Sequence, residues 1–156
     1  MPSAAKDNAG VIAFPPFILA FYVAAGSVIH WLHPIPLLPI LPARILGTVL
    51  LVAAGAQTLW ASRIMKRAGT YVRPSLPTTV IVAAGPYSYT RNPMYLSLCI
   101  VYTAISLLMN GALALLLLPL LTLTLHFGVI KREERYLAAK FGASYLDYQR
   151  RVRRWI

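Results

Sequence analysis

Acidic residues are scarce in this chain. Only four of its 156 residues are Asp or Glu, against fifteen Lys or Arg, which gives a formal net charge of +11. Charged residues make up 12% of the chain and hydrophobic residues 58%, whereas soluble domains carry about 25% charged residues. This composition predicts an all-helical integral membrane protein. Its apolar runs are continuous rather than alternating, which excludes a membrane barrel.

Cysteine is nearly absent as well. Cys99 stands alone, so the chain can form neither an internal disulfide nor a multi-cysteine metal site. His30 and His33 have a spacing that a metal could use, but no acid or cysteine lies near them in the sequence. Trp31, between them, is typical of a membrane interface. We therefore predict that the chain has no metal site.

The positive charges are clustered, which argues against a nucleic-acid partner. Five cations lie in residues 63–91 and eight in residues 131–156. Clusters of this kind are typical of the cytoplasmic loops of membrane proteins. We expect loop 63–91 and both termini to face the cytoplasm, with the basic tail close to anionic membrane lipids.

Long apolar runs predict four transmembrane helices followed by cytoplasmic helices. They cover about residues 11–32, 45–62, 94–109 and 112–130. A cleaved signal peptide is an alternative for the first run, but that run is longer than a typical signal core. The third run would rise only about 24 Å, which is short for a bilayer. Residues 1–10 are small and polar, and we expect them to be disordered.

The tail after residue 130 predicts two more helices. The first continues to Lys140 and ends at Gly142, a typical C-cap residue. The second begins at Ser144, where Asp147 three residues on completes a capping-box pattern. Its mixture of aromatic and basic residues predicts an amphipathic helix on the membrane surface.

Residues 85–95, GPYSYTRNPMY, combine turn-forming, aromatic and cationic residues at the start of the third run. Asn92 and Pro93 form a typical helix start, with Asn as N-cap. The free N–H groups of a helix N-terminus, with Arg91 beside them, can bind a carboxylate or phosphate. Three tyrosines supply faces for an adenine or a sulfonium: Tyr87, Tyr89 and Tyr95.

Two of the four acids, Glu133 and Glu134, follow the fourth run. Helical spacing puts His126 and Glu133 on one stripe, which indicates a polar cavity. Alternatively, His126 bonds a neighbouring carbonyl and the two acids belong to a charge-balanced surface. Lys131 can pair with Glu134, which leaves Glu133 available for a ligand.

Residues 85–95, the hydrophobic hairpin, and EERYLAAKFGASYLDYQRRVRRWI resemble the isoprenylcysteine carboxyl methyltransferase family and the related phospholipid N-methyltransferases. The resemblance covers residues 63–156. It implies a single membrane domain, residues 1–156, whose half 63–156 binds S-adenosylmethionine and carries out catalysis. One departure is Asn92, which stands where the eukaryotic pattern has His. Unlike His, it cannot take up a proton near neutral pH.

The residues at the family's positions give the expected site. The cofactor-binding set is Gly85, Pro86, Tyr87, Tyr89, Arg91, Asn92, Pro93, Tyr95 and Glu133. The catalytic set is Glu134, Arg135 and His126, with His126 or a Glu as base if the acceptor is an amine.

The expected function is methyl transfer from S-adenosylmethionine to a lipophilic or small acceptor. A carboxylate, a thiol, a lipid amine and a quinone-like oxygen all remain open as the accepting group. Two alternatives are a membrane reductase of the sterol-reductase kind that uses NADPH, and a non-catalytic scaffold whose aromatic and basic residues only anchor it.

Overall fold

The computed structural model describes residues 7–156, and the regular secondary structure of this part of the chain is helical. Its only strand-like pairing is an isolated bridge between Thr90 and Arg153. The α-helices are α1 (Pro15–Leu32), α2 (Ile40–Arg67), α3 (Pro93–Leu108), α4 (Ala112–Leu115), α5 (Leu118–Leu125), α6 (Lys131–Phe141) and α7 (Ala143–Arg151). A 3₁₀ turn covers Gly85–Ser88, and a π-helical turn covers His126–Ile130.

Three helical segments are long and apolar enough to cross a membrane, and they make this an integral membrane protein. They are α1, α2 and the segment Ala112–Phe141, which runs from α4 through α6. The predicted third span corresponds to α3, which is apolar but has only 16 residues. At about 1.5 Å per residue it is shorter than a hydrocarbon core of about 30 Å. The structure thus supports three of the four predicted spans by length.

Prolines explain why two helices begin at other residues than expected. Helix α1 begins at Pro15 rather than at residue 11, with prolines in its first turn. Helix α2 begins at Ile40 rather than at residue 45, and Pro42 lies in its first turn. A proline is tolerated there because the first N–H groups of a helix have no partner within it. Helix α2 also continues to Arg67, five residues past the predicted end.

Helix α2 packs most extensively against α3, and it does so through small residues. Ala43, Ala54 and Ala61 are fully buried. A Cβ atom on Gly47 would lie 2.9 Å from the Ala104 carbonyl oxygen of α3, whereas one on Gly55 would meet nothing within 4 Å. The close approach of the two helices therefore depends on Gly47.

Asn110 lies just after α3 and joins the end of that helix to the connector between α1 and α2. The predicted break between the third and fourth runs is confirmed there, and Asn110 has a φ of 55°. Its side-chain oxygen accepts hydrogen bonds from the Leu37 and Leu38 amides, and its Nδ2 donates to the Leu38 carbonyl. This side chain fixes the proline-rich connector between α1 and α2.

The residues that precede α1 lie across the other end of the molecule. Asp7 forms an ion pair of 2.7 Å with Lys140, and the Arg132 guanidinium donates to the Gly10 carbonyl. The Ile12 amide donates to the Gly128 carbonyl. The prediction of disorder is thus wrong for residues 7–10, and residues 1–6 lie outside the described part of the chain.

The π-helical turn at His126–Ile130 changes which residues share a helix face. Such a turn adds one residue to the helical repeat, so residues on either side no longer keep α-helical spacing. The predicted common stripe of His126 and Glu133 is therefore wrong, because the added residue brings Glu134 toward that stripe instead.

The two tail helices form, but their junction differs from the prediction. Gly142 ends α6 with a φ of 55°, as predicted. It is also the N-cap of α7, and no side chain caps that helix, so the expected capping box of Ser144 is wrong. Tyr145 and Tyr148 are buried, which means that the aromatic face of α7 packs on the protein.

We predict opposite effects of the same substitution at two positions of α2. Gly47→Ala should lower the free energy of unfolding by about 1–3 kcal/mol, because its Cβ meets backbone atoms of α3. Gly55→Ala should be neutral or stabilising by up to about 1 kcal/mol, because it gains helix propensity without a clash. Unfolding of detergent-solubilised protein, followed by tryptophan fluorescence, measures both. Equal losses would contradict the packing described here.

Candidate functional site

A cavity of about 250 Å³ lies at the end of the molecule where the 85–95 segment meets α6 and α7. Small-molecule pockets generally span about 300–1,000 Å³, so the cavity is close to that size. Its walls are mostly apolar. They are formed by Phe14, Pro15, Pro16, Thr58, Met65, Val72, Arg73, Pro74, Thr78, Val80, Ile81, Val82, Tyr87, Arg91, Asn92, Pro93, Met94, Tyr95, Leu98, Glu133, Glu134, Leu137, Tyr145 and Tyr148.

The loop between α2 and the 3₁₀ turn covers one side of this cavity. Tyr136 of α6 holds it, because its hydroxyl accepts a hydrogen bond from the Thr78 amide and donates one to Asp7. Thr70 and Thr79 bond to each other within the loop. Residues 78–82 of the loop are irregular and form no strand, yet four of these five residues line the cavity.

The 85–95 segment is held in place by the tail. The Tyr148 hydroxyl donates to the Tyr87 carbonyl at 2.7 Å. The Arg91 amide donates to the Arg153 carbonyl at 2.9 Å, and the Thr90 hydroxyl to the Arg154 carbonyl at 3.1 Å. The segment and the tail thus form one unit, although about 60 residues separate them in the sequence.

Asn92 occupies the predicted N-cap position of α3 but does not cap it with its side chain. Its Nδ2 donates instead to the Arg154 carbonyl at 2.9 Å, and its amide donates to the Thr90 hydroxyl. The side chain also lines the cavity. The N-terminus of α3 therefore keeps its free N–H groups.

Arg91 presents a buried positive charge at the cavity. Its side chain is 9% exposed, and its Nη1 lies 3.2 Å from a Glu134 oxygen. That contact lacks hydrogen-bond geometry: among residues 7–156, Nε and Nη1 have no hydrogen-bond partner. Buried donors without a partner are rare, so the guanidinium is incompletely satisfied by the protein.

Glu134 lies between two arginines. Its oxygens accept bonds of 2.9 and 2.7 Å from the Nε and Nη2 atoms of Arg154, a two-point contact. Its side chain is 10% exposed, and Arg91 approaches it from the other side. The predicted pairing with Lys131 is not seen among the described residues. Each Glu134 oxygen accepts a hydrogen bond from Arg154, which fixes the orientation of this carboxylate.

Glu133 has different surroundings. Its carboxylate accepts a 2.7 Å hydrogen bond from the Tyr95 hydroxyl. Among residues 7–156, no Lys, Arg or His approaches it within ion-pair distance. Glu133 is thus the acidic group of the cavity whose charge the described residues leave unneutralised.

Tyrosines supply protonated hydroxyl groups around these charges. Burial, together with the nearby Glu134 carboxylate, raises the pKa of Tyr145 to about 12. Burial also raises the pKa of Tyr148 and of Tyr87. All three therefore remain neutral hydrogen-bond donors at physiological pH.

The structure brings seven of the twelve expected site residues to the cavity: Tyr87, Arg91, Asn92, Pro93, Tyr95, Glu133 and Glu134. The other five lie elsewhere. Pro86 and Tyr89 line a separate open groove beside Trp60 and Trp155. The remaining three line neither space: Gly85, Arg135 and His126.

Other cavity residues were missed by the sequence reasoning. Phe14, Pro15 and Pro16 precede the half 63–156, and nothing in their pattern distinguishes them from an ordinary helix start. Arg154 does not line the cavity but pairs with Glu134, whereas the mixture of aromatic and basic residues around it predicts an amphipathic helix on the membrane surface. Only the end of α7 at Arg151 turns Arg154 toward Glu134.

Comparison with known proteins identifies the family of this chain. Residues 42–144 match the phospholipid methyltransferase family. The chain belongs to this family. The match runs from α2 into the start of α7, so it includes the 85–95 segment, Glu133 and Glu134. The first helix and residues 145–156 lie outside it. Arg154 and the cavity wall at Phe14 are thus contributed by parts of this chain beyond the family match.

An uncharacterized protein of Haemophilus influenzae is also similar. It is 41% identical over 63 residues, which are 40% of this chain and the whole length of that relative.

The adjacent acids Glu133 and Glu134 allow a test of which carboxylate is the main buried countercharge of the site. Glu134→Gln should lower the free energy of unfolding by on the order of 3 kcal/mol, because it leaves two arginines without their buried countercharge. Glu133→Gln should cost less, because an amide can still accept the Tyr95 hydrogen bond. Unfolding of the two variants in detergent compares them. A larger loss for Glu133→Gln would show that Glu134 is not the central charge.

Proposed function

We propose that this member of the phospholipid methyltransferase family transfers a methyl group from S-adenosylmethionine to a lipophilic acceptor. The observation that carries the proposal is that one mostly apolar cavity is lined both by the buried, incompletely satisfied Arg91 and by Glu133, which has no cationic partner among residues 7–156. The half 63–156 supplies the charged groups of this cavity, and α1 contributes apolar wall.

The charges of the cavity fit those of the cofactor. Arg91 and the N-terminus of α3 suit the carboxylate of its methionine part, because both offer positive charge and N–H donors. Glu133 suits a ribose hydroxyl or the cofactor's ammonium group as a hydrogen-bond acceptor. The two residues lie on different elements, which lets them contact separate parts of one ligand.

Aromatic surfaces fit the rest of the cofactor. The rings of Tyr87, Tyr95 and Tyr145 line the cavity and offer faces for an adenine or for the positive sulfur through cation–π attraction. Asn92, where eukaryotic relatives carry His, serves this site by holding the tail, and we assign it no proton transfer.

S-Adenosylmethionine supplies a methyl group on a positively charged sulfur, which is left behind as a neutral thioether. The protein's part is to align the acceptor with that methyl group and to exclude water. Apolar residues on the α1 side, with Phe14 and Pro15 next to Leu98 of α3, suit the hydrocarbon part of a membrane acceptor. A carboxylate or thiolate acceptor needs no base. An amine acceptor needs one, and of the candidates Glu133, Glu134 and His126 the two acids line the cavity.

Binding measurements on purified protein in lipid nanodiscs test the proposal. We expect radiolabelled S-adenosylmethionine to bind the wild type and NADPH not to bind. Arg91→Gln and Glu133→Gln should each weaken binding by about tenfold or more, because each removes a charge-assisted hydrogen bond. Arg63→Gln is the matched control: Arg63 is exposed and does not line the cavity, so the affinity of this variant should be unchanged.

Other results would favour the alternatives. Binding of NADPH alone would indicate a reductase, and binding of neither ligand would indicate a non-catalytic protein. Transfer of labelled methyl to extracted membrane lipid, but not to water-soluble thiols, would support the lipophilic acceptor.

A further inference from the structure

Arg154 lies in the tail after α7, outside the family match, and contacts Glu134 rather than lipid. Its guanidinium makes two bonds to that carboxylate, of 2.9 and 2.7 Å. Its carbonyl oxygen accepts bonds from the Thr90 hydroxyl and from Nδ2 of Asn92. Backbone and side chain are thus fixed from two directions, although the side chain is one-third exposed.

The same carboxylate is the one that Arg91 approaches. A planar guanidinium and a carboxylate pair best through two parallel N–H···O bonds. Arg154 has this geometry with Glu134, whereas Arg91 has a single 3.2 Å approach without hydrogen-bond geometry. The two arginines therefore compete for one acid, and Arg154 holds it.

We propose that Arg154 is a positioning residue that keeps Glu134 occupied, so that the Arg91 guanidinium remains available to the carboxylate of the bound cofactor. This inference rests on the proposed function. Without Arg154, Glu134 is free to form the two-point pair with Arg91, and a ligand carboxylate then has to displace it. Arg154 thus determines the preference of the site for a ligand that carries a carboxylate, although Arg154 itself does not contact the ligand.

The variant Arg154→Gln tests this role, with Arg153→Gln as its matched control. Arg153 is the exposed neighbour and contributes to the site through its carbonyl oxygen, which the substitution keeps. Arg154→Gln should weaken S-adenosylmethionine binding by about tenfold, the order of a charged hydrogen bond. Arg153→Gln should leave the affinity unchanged. The thermal unfolding of each variant in nanodiscs shows whether it is folded.

Two further measurements separate positioning from a general loss of structure. Decarboxylated S-adenosylmethionine, which lacks the carboxylate, should bind wild type and Arg154→Gln alike. The double variant Arg154→Gln with Glu134→Gln should bind S-adenosylmethionine more tightly than Arg154→Gln alone, because the competing carboxylate is gone. Arg154→Lys, which keeps the charge without the two-point contact, should lie between Arg154→Gln and wild type.

The outcomes are distinct. Equal losses for both ligands, or a double variant weaker than the single one, would overturn the role of Arg154 while leaving methyl transfer intact. A wild type that binds neither form of the cofactor would overturn the proposed function and this inference with it. Arg154→Gln unfolded at the assay temperature would assign the residue a purely structural role if Arg154→Lys also binds like wild type.

Discussion

The arrangement of this site depends on one buried carboxylate placed between two arginines. Glu134 joins three parts of the chain that are remote in sequence: α6, the 85–95 segment through Arg91, and the tail through Arg154. Removing two charges from water is costly unless their pairing is close, so these three parts are stable in this arrangement only together. The cavity lies where these parts of the chain come together.

The polar and the apolar parts of the cavity wall beside Glu134 are contributed by different elements. Most polar groups lie on the 85–95 segment, α6 and α7, whereas α1 and the loop after α2 contribute mainly apolar side chains. Tyr136 connects that loop to Asp7, and Ile12 contacts Gly128 at the π-helical turn. The first helix, which lies outside the family match, thus contributes to the wall of the same cavity.

The sequence was sufficient for features that depend on composition and local chemistry. Hydropathy predicted the apolar helices, and turn residues predicted the break at Asn110 and the end of α6 at Gly142. The clusters of positive charge predicted that loop 63–91 and the tail lie on one side of the membrane, and the contact of Arg91 with Glu134 agrees with that prediction. The sequence did not predict which cation pairs with Glu134. Lys131 and Arg154 carry the same charge, and it is the extended chain after Arg151 that brings Arg154 to the carboxylate. The side-chain role of Asn92 depends on the same tail.

The π-helical turn at His126–Ile130 makes the number of residues in this stretch matter more than their identity. It sets the angle at which α6 leaves the membrane helix, and hence which of two adjacent acids meets Arg91 and which meets Tyr95. Gly128 is the exception, because a Cβ atom added there would clash with the Ile12 side chain. A one-residue deletion would rotate every following residue by about 100° and turn both acids away from their partners, so the length of this stretch is constrained more strongly than most of its side chains.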